Sequence, residues 1–362
     1  MRRRKDDAED EESVYAEAMR QYEEYDEIVH RRRRNRRIFF GVLAGLVTLV
    51  LVAGVSVAWF VNRVSSNIPR IPDAFDIPDE QRPPEAGGDA VTFLLGGLDN
   101  ADGLDSAEVF QPGAARTDTI MLVHVPDGRD HGYVVSIPRD TYVDIPDHGA
   151  NKINAAYSFD GPALFVRTVE QLIGFRIDHL ALIDWSGFEE LTDELGGVTL
   201  TFDEPTVLAD DTTLPAGEHV LDGETALQYV RERKGLPAGD FDRVKRQQNF
   251  LRALMNELLS AGTFTSPNTM NGLADAIGET ARVDEGLGAF DMVRLGLSMR
   301  GLRADDMTFL TVPTDGTGEA GGQSIVVYDE QRAGELWAAL QADDMDAFLT
   351  ANPDLVTGHD VS

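Results

Sequence analysis

Residues 116–140 read RTDTIMLVHVPDGRDHGYVVSIPRD and contain two short apolar runs, Thr119–Val125 and Tyr133–Ile137. Runs of this length and composition are typical of β-strands. Further strand-like runs alternate along the chain with longer runs that have helical periodicity. This alternation predicts an α/β domain built in layers.

The other strand-like and helix-like runs extend on both sides of this stretch. The strand-like runs are Val91–Leu95, Leu180–Trp185, Val198–Phe202, Met307–Val312 and Ser324–Tyr328. The helix-like runs are Pro162–Ile173, Gly187–Leu195, Glu224–Arg233, Arg243–Ser260, Thr269–Thr280, Phe290–Met299 and Glu330–Ala342. A domain of about 250 residues can bury nearly three quarters of its unfolded surface, so a substantial core is expected.

Composition excludes several classes of protein. The 362 residues include no cysteine, which excludes disulfides, thiolate nucleophiles and cysteine-ligated metal sites. The formal net charge of −31 argues against a nucleic-acid partner, because such proteins need a positive surface. The hydrophobic content of 42% is too high for a chain that is disordered throughout.

Residues 38–61 carry no charged side chain. As a helix they would extend about 36 Å, enough to cross a hydrocarbon core of roughly 30 Å. A buried helix of a soluble protein and a cleaved signal peptide are alternatives, but the length of the stretch and its distance from Met1 favour a retained anchor. Arginines crowd residues 31–37. The positive-inside rule therefore predicts a single-pass protein with residues 1–37 in the cytoplasm and 62–362 outside.

The sequence predicts five segments. A charged cytoplasmic tail, 1–37, precedes the transmembrane segment, 38–61. Five prolines within 62–87 predict a stiff, extended stalk. A globular domain is expected over 88–345, and 346–362 are expected to form a loose tail.

Arginine and aspartate occur together where predicted strands begin or end. Asp99 closes one run, Arg116 and Asp118 open the next, and Arg139 and Asp140 end a third. In α/β sheets, side chains at strand ends lie beside the ligand crevice. Two carboxylates brought together there would suit Mg²⁺. The alternative is that the aspartates cap turns and pair with surface arginines.

A second candidate site lies in residues 231–246, whose net charge of +3 is unusual in so acidic a chain. Arg243 and Gln247 continue the apolar stripe of a predicted helix, so their side chains should point toward the domain interior. Arginines at a helix start suit phosphate, because the guanidinium fork binds its oxygens in pairs. The alternative is a solvated basic face.

Seven motifs occur in an order that resembles one family. They are LLGGLD, RTDTIMLV, SIPRDTYV, KINAAYS, LTDELGGVTL, LDGETALQYVRERK and DFDRVKRQQ. Together they are similar to the LytR-CpsA-Psr family of bacterial cell-wall proteins. The resemblance implies an α-β-α sandwich with a central mixed sheet and a hydrophobic pocket for a lipid chain. It also implies a membrane-anchored, Mg²⁺-dependent phosphotransferase that moves a glycopolymer from a polyprenyl-pyrophosphate carrier onto peptidoglycan.

Residue roles follow from matching motif to motif. The resemblance implies that Asp99 and Asp118 are associated with Mg²⁺ and that Asp240 assists proton removal. The implied pyrophosphate contacts are Arg116, Arg139, Lys152, Arg231, Arg233, Arg243 and Gln247. Four of these residues are also implied to be catalytic, namely Arg116, Arg139, Arg231 and Arg233. Asp240 completes the implied catalytic set. The long segment between Asp99 and Asp118 holds further possible metal ligands, namely Asp102, Asp105 and Glu108.

Two other functions remain open from the sequence. The same site could hydrolyse a polyprenyl pyrophosphate with water as the acceptor. A non-catalytic wall scaffold could also keep a pocket for lipid and glycan without performing chemistry. The sequence does not indicate which glycopolymer is transferred.

Overall fold

The computed structural model describes residues 59, 62–63, 66, 68–85, 88–98, 110–113, 115–184, 187–232, 236, 238–259, 267–299 and 301–358. The predicted cytoplasmic tail, nearly all of the predicted transmembrane segment, and the site residues Asp99 and Arg233 lie outside them. None of the helices in this described part is long and apolar enough to cross a membrane.

Strands and helices interleave as the sequence predicts. The strands are β1 (Arg70–Ile71), β2 (Val91–Leu98), β3 (Thr117–Val125), β4 (Gly132–Ser136), β5 (Tyr142–Ile145), β6 (Gly149–Lys152), β7 (His179–Asp184), β8 (Val198–Phe202), β9 (Thr206–Val207), β10 (Thr213–Leu214), β11 (Gly217–Leu221), β12 (Ala281–Asp284), β13 (Met307–Thr311), β14 (Thr314–Ala320) and β15 (Gln323–Tyr328). The α-helices are α1 (Ala155–Ile173), α2 (Gly187–Glu194), α3 (Gly223–Arg231), α4 (Asp240–Leu259), α5 (Pro267–Thr280), α6 (Ala289–Ser298), α7 (Glu330–Gln341) and α8 (Met345–Ala351). Short 3₁₀ turns lie at Asp79–Gln81, Ala304–Asp306 and Pro353–Leu355.

Seven strands form one central sheet in the order β1-β12-β7-β2-β3-β4-β13. The pairs β1–β12, β2–β7 and β4–β13 are parallel. The pairs β7–β12, β2–β3 and β3–β4 are antiparallel. The sheet is therefore mixed, and β2 and β3 lie near its middle, where both faces are covered.

Helices cover both faces of this sheet. Successive side chains of β2 point to opposite sides, so Leu94 and Leu98 pack with α1, α7 and α8. On the other face Leu95 packs near side chains of α4, and Phe93 near side chains of α6. Burying one such leucine contributes about 1.5–3 kcal/mol. The α-β-α sandwich is thus confirmed, and it places α4 directly over the strands that carry the candidate site.

The prediction of an extended stalk over 62–87 is wrong for residues 68–85, which the structure describes. Pro69 and Pro72 flank β1, which pairs with β12 at the edge of the sheet, where a strand tolerates prolines. Ile71 is fully buried in the main core. Later in this segment, Arg82 forms an ion pair of 2.5 Å with the carboxylate of Glu170, which is 1% exposed. Buried apolar side chains and this ion pair anchor the segment to the domain.

The prediction of a loose tail over 346–362 is also wrong as far as residue 358. Phe348 of α8 packs into the main core. Val356 then forms an antiparallel bridge with Leu310 of the edge strand β13. The backbone N–H of Thr357 donates to the carbonyl of Phe309 over 2.8 Å. Edge strands present unpaired backbone groups, and this segment satisfies some of them.

Candidate functional site

The candidate site lies at the end of the sheet where β2 ends and β3 begins. Gly97 pairs with Thr119, but Leu98 pairs with Thr117, so Asp118 is an extra residue in β3. An extra residue of this kind forms a β-bulge, which bends the strand and redirects its side chain. The bulge places Asp118 at the rim of the sheet with its side chain 12% exposed.

Arg139, just after β4, is the centre of a charged cluster. Its Nη1 lies 2.6 Å from Oδ1 of Asp118. Its Nε lies 3.8 Å from Asp140 and 3.9 Å from Asp240. Nζ of Lys152 lies 2.9 Å from Oδ1 of Asp140, which extends the cluster to the end of β6. Burial lowers the pKa of Arg139, but the charges of the three aspartates and the hydrogen bond to Asp118 outweigh it and raise that pKa.

The first turns of α4 cover this cluster from above the sheet. Arg243 is 2% exposed, and its Nη2 lies 2.5 Å from Oδ1 of Asp240. The same Nη2 donates to the backbone carbonyl of Asp118 over 3.4 Å. One turn further along α4, Gln247 is 5% exposed and accepts a hydrogen bond of 3.1 Å from the hydroxyl of Thr119. The prediction that Arg243 and Gln247 point into the domain is confirmed.

Polar atoms of the cluster that are buried without a hydrogen-bond partner among the described residues include Oγ1 of Thr117, Nε of Arg139 and Oδ2 of Asp240. Leaving a buried polar atom unsatisfied costs about 1–3 kcal/mol. Unsatisfied atoms that gather beside paired charges therefore indicate a place where a polar ligand, an ion or water completes the arrangement.

A small apolar cavity of about 30 Å³ lies between the sheet and α4. Its apolar lining is Leu95, Met121, Ile183, Phe250 and Leu251. Thr119 and Gln247 also line it, so the cavity adjoins the charged cluster. The site thus joins a polar, arginine-containing end to an apolar interior.

The arginine-rich stretch 231–246 divides into residues with different surroundings. Arg246 is 6% exposed, donates to the carbonyl of Val207 over 3.0 Å, and lies over the ring of Tyr229 at 5.0 Å. Burial lowers the pKa of Arg246. Lys245 is half exposed and lies 3.8 Å from Asp242. The alternative of a uniformly solvated basic face is therefore wrong, because Arg243 and Arg246 are both buried.

The sequence model of the LytR_cpsA_psr family matches residues 67–342. This match spans most of the chain. The chain belongs to the LytR_cpsA_psr family.

Relatives with curated names agree with this assignment. LcpA, a cell wall biosynthesis protein of Corynebacterium glutamicum, is 36% identical over 246 residues, which are 59% of this chain and 46% of that protein. LcpB of the same species, named a probable cell wall biosynthesis protein, is 35% identical over 83% of this chain and 70% of that protein. TagU of Oceanobacillus iheyensis, named a polyisoprenyl-teichoic acid–peptidoglycan teichoic acid transferase, is 30% identical over 83% of this chain and 92% of that protein. The chain thus spans about half the length of LcpA.

Solved structures of the family share the fold. TagV of Bacillus subtilis superposes with a TM-score of 0.59 at 25% identity, over 70% of this chain and 97% of that one. A structure of TagT bound to LIIa-WTA superposes with a TM-score of 0.56 at 28% identity, over 72% of this chain and 92% of that one. The described fold is therefore that of the family.

The structure brings together only part of the set implied by the family resemblance. Asp118, Arg139, Lys152, Asp240, Arg243 and Gln247 form the connected group described above. Arg116, just before β3, and Arg231, the last residue of α3, are exposed. Neither side chain forms an ion pair or hydrogen bond with another described residue. Their roles, and that of Arg233, stay predictions.

Only one of the two residues of the predicted metal site lies within the described part of the chain. Asp118 is described, whereas Asp99 lies outside the described residues. Within the described part of the chain, no group of three carboxylate or imidazole side chains lies close enough to hold a metal ion. Magnesium commonly takes only one or two protein carboxylates and completes its shell with phosphate oxygens and water.

The structure adds to the candidate site two threonines that the sequence analysis did not predict, and they flank Asp118. Thr117 is fully buried and Thr119 nearly so, and they supply an unsatisfied hydroxyl and the contact to Gln247. The signal for them is the polar Thr-Asp-Thr at the start of an otherwise apolar strand. Polar side chains that open a buried strand are candidates for a site, because burial is costly unless a partner is present.

Proposed function

We propose that the chain is a membrane-anchored phosphotransferase that moves a glycopolymer from a polyprenyl-pyrophosphate carrier onto peptidoglycan. The observation that carries this is the cluster of Asp118, Arg139, Asp240 and Arg243, in which one buried and one partly buried guanidinium group lie with unsatisfied polar atoms beside an apolar cavity. Such a cluster suits a ligand that is anionic at one end and apolar at the other. The names of the relatives support the same reaction class.

The reaction is a substitution at phosphorus. A hydroxyl oxygen of peptidoglycan bonds to the phosphorus that carries the glycopolymer, and the bond from that phosphorus to the bridging oxygen breaks. Polyprenyl phosphate leaves with the bridging oxygen and its electron pair, and a phosphodiester joins the polymer to the wall. The hydroxyl proton must pass to a base, and the unpartnered Oδ2 of Asp240 is the proposed acceptor.

The arginines act on the charge that develops during this step. Arg139 and Arg243 present guanidinium groups that bind non-bridging phosphate oxygens and neutralise them as charge moves to the leaving phosphate. Gln247 and Lys152 are proposed to contact the same head group. Arg116, just before β3, and Arg231, at the end of α3, are exposed. We propose that they, together with Arg233, contact the pyrophosphate once the substrate is bound.

Magnesium is proposed as the cofactor. Asp118, with Asp99, would hold it, and the unpartnered oxygens of Thr117 and Asp240 lie in the same cluster of hard donors that this ion prefers. When bound, Mg²⁺ would add positive charge beside the pyrophosphate. Chelator treatment followed by a transfer assay tests this part, and undiminished transfer would reject it.

The apolar cavity under α4 is the proposed entrance for the polyprenyl chain. Its present volume of about 30 Å³ fits only a small part of such a chain. Binding would therefore require the side chains that line the cavity to move apart. Residues 38–61 would hold the domain at the outer surface of the bacterial membrane, where both the lipid carrier and the wall are reached.

Mass spectrometry of lipids that co-purify with the full-length chain tests the proposed substrate. We expect polyprenyl-pyrophosphate species on the wild type. An Arg139→Gln variant should lose them, and an Arg167→Gln variant should keep them, because Arg167 pairs with the exposed Asp147 on the surface. Lipids that lack a pyrophosphate, or species retained equally by all three proteins, would contradict the proposal.

A further inference from the structure

The last described residues of the chain, 356–358, form a segment that we call the C-terminal strap. The strap lies beyond residues 67–342, which match the family. Val356 bridges Leu310, and the N–H of Thr357 donates to the carbonyl of Phe309, so the strap runs along the edge strand β13. It therefore adds to the central sheet on the side of β4, the strand that leads to Arg139.

Arg252 of α4 holds the strap by its backbone. Its side chain is 7% exposed; Nη1 donates to the carbonyl of Gly358 over 2.9 Å and Nη2 to the carbonyl of Thr357 over 3.1 Å. The guanidinium also lies over the ring of Phe309 at 4.5 Å. Burial lowers the pKa of Arg252. A buried cation is thus satisfied largely by carbonyls that only the strap supplies.

Gln248, one turn before Arg252, joins the strap to the strands. It is fully buried, and its Nε2 donates to Oγ of Ser136 over 2.7 Å and to the carbonyl of Leu310 over 2.9 Å. Its Oε1 accepts a short hydrogen bond from the hydroxyl of Thr357. One side chain of α4 is therefore tied at once to β4, β13 and the strap.

The same helix carries the groups of the candidate site. Gln247 is adjacent to Gln248, and Arg243 lies five residues earlier on α4. A helix moves nearly as a rigid rod. The contacts of Gln248 and Arg252 therefore fix how α4 is rotated about its axis and how far it lies from the sheet, and this in turn determines where Arg243 meets Asp118. That contact is already long at 3.4 Å, so a small displacement of α4 would break it.

We propose that the C-terminal strap is a positioning element of the phosphate site, acting through Gln248 and Arg252 to hold α4 where Arg243 and Gln247 can engage a pyrophosphate. The inference rests on the proposed function and adds to it a segment outside the family domain. Misplacing groups of a preorganised site by about 1 Å can cost on the order of a hundredfold. The strap would therefore affect ligand affinity more than its few contacts suggest.

The test compares three full-length variants with the wild type, using inorganic pyrophosphate with MgCl₂ as the probe in calorimetry. Thr357→Val removes the hydroxyl that Gln248 accepts from and keeps the shape of the side chain. Thr357→Ser restores that hydroxyl. Thr350→Val is the matched control, because the hydroxyl of Thr350 is exposed and, among the described residues, bonds only within α8, to the carbonyl of Asp346.

We expect Thr357→Val to bind pyrophosphate roughly tenfold or more weakly at a temperature where it is fully folded. Thr357→Ser and Thr350→Val should bind like the wild type. A purely structural role would lower the unfolding midpoint of Thr357→Val and leave its affinity unchanged, and that result would overturn the proposal.

Hydrogen exchange separates this inference from the proposed function. Amides in 243–248 should exchange faster in Thr357→Val than in Thr350→Val. If the wild type binds no pyrophosphate, the proposed function fails and exchange alone decides whether the strap holds α4. Equal exchange in the two variants would reject the strap as a positioning element.

Discussion

Arg139 shows how single side chains create the site. Its guanidinium is held by Asp118 at 2.6 Å and approached by Asp140 and Asp240, so its charge is fixed in place before a ligand arrives. A preorganised charge stabilises a developing anion without the cost of reorienting at the moment of reaction. Its unsatisfied Nε leaves one donor available for that purpose.

Replacing Arg139 by glutamine should lower the transfer rate by about 100- to 1000-fold, because one charge contact to the reacting phosphate is lost. The folded structure should persist, since Asp118 stays partly exposed. A transfer assay with a circular-dichroism check measures both effects. Arg167→Gln, which removes a surface pair of similar geometry, should retain full activity. Near-normal turnover in a folded Arg139→Gln would remove Arg139 from the mechanism.

The sequence predicts the burial of two candidate site residues better than it predicts their contacts. The helical stripe correctly predicts that Arg243 and Gln247 are buried. The bulge at Asp118 is not predictable, because no glycine or proline marks it and its register depends on pairing with β2. Nor does the spacing show that Arg246, three residues after Arg243, packs on Tyr229 instead of joining the cluster.

At the scale of elements, α1 is interrupted in a way that its sequence only partly indicates. The run Pro162–Ile173 predicts the second half, but the helix starts at Ala155 and breaks at Asp160 and Gly161. Gly161 has φ 68° and ψ −155°, a conformation open almost only to glycine. Pro162 then starts the second half, where its missing N–H is not needed.

Gly161→Ala should destabilise the domain by at least about 1–3 kcal/mol. Besides the unfavourable φ, a Cβ at this position would lie 2.8 Å from the carbonyl oxygen of Phe110. Gly334→Ala in α7 is the control, because a Cβ there meets nothing within 4 Å and alanine favours the helix. Urea unfolding should show a lower midpoint for the first variant and an equal or higher one for the second. Equal midpoints for Gly161→Ala and wild type would contradict the assigned backbone conformation.

The interleaved strands and helices were predictable because their periodicities are local. The edges of the domain were not. Ile71 and Phe348 lie in short segments whose prolines and charges resemble a linker or a tail, and only pairing with distant strands shows that they are buried. Contacts between residues far apart in sequence therefore account for both errors at the domain boundaries.

At the scale of the whole molecule, the negative net charge of the chain would repel an anionic substrate, whereas its buried arginines would attract one. A chain of net charge −31 repels anions in bulk, so the proposed pyrophosphate lipid would have to be held by local groups. Arg139 and Arg243 would provide them at a partly buried position, where the lower dielectric strengthens an interaction with phosphate.

Stability of the whole domain should also depend on pH through His124. This histidine is 2% exposed and pairs through Nδ1 with the hydroxyl of Thr92 at 2.9 Å. Burial lowers the pKa of His124 to about 4, below the ordinary value of about 6.5. Between these values the unfolded chain binds more protons than the folded one, so stability is lost as the pH falls from about 6.5 toward 4.

The expected loss from this one group is on the order of 3 kcal/mol across that interval. Urea unfolding at several pH values measures it. His124→Gln should have a shallower dependence of the unfolding free energy on pH than the wild type. The same slope in wild type and His124→Gln would show that His124 is not buried in its neutral form.

The proposed function requires the charged cluster to transfer a polymer-bearing phosphate to the cell wall. The most direct measurement is mass spectrometry of the products after the full-length chain is incubated with a polyprenyl-pyrophosphate glycopolymer, peptidoglycan fragments and MgCl₂. We expect one polyprenyl phosphate to be released for each glycopolymer joined to peptidoglycan through a phosphodiester. Release of polyprenyl phosphate with free polymer phosphate and no linkage would instead identify a pyrophosphatase, and an unchanged substrate would contradict catalysis altogether.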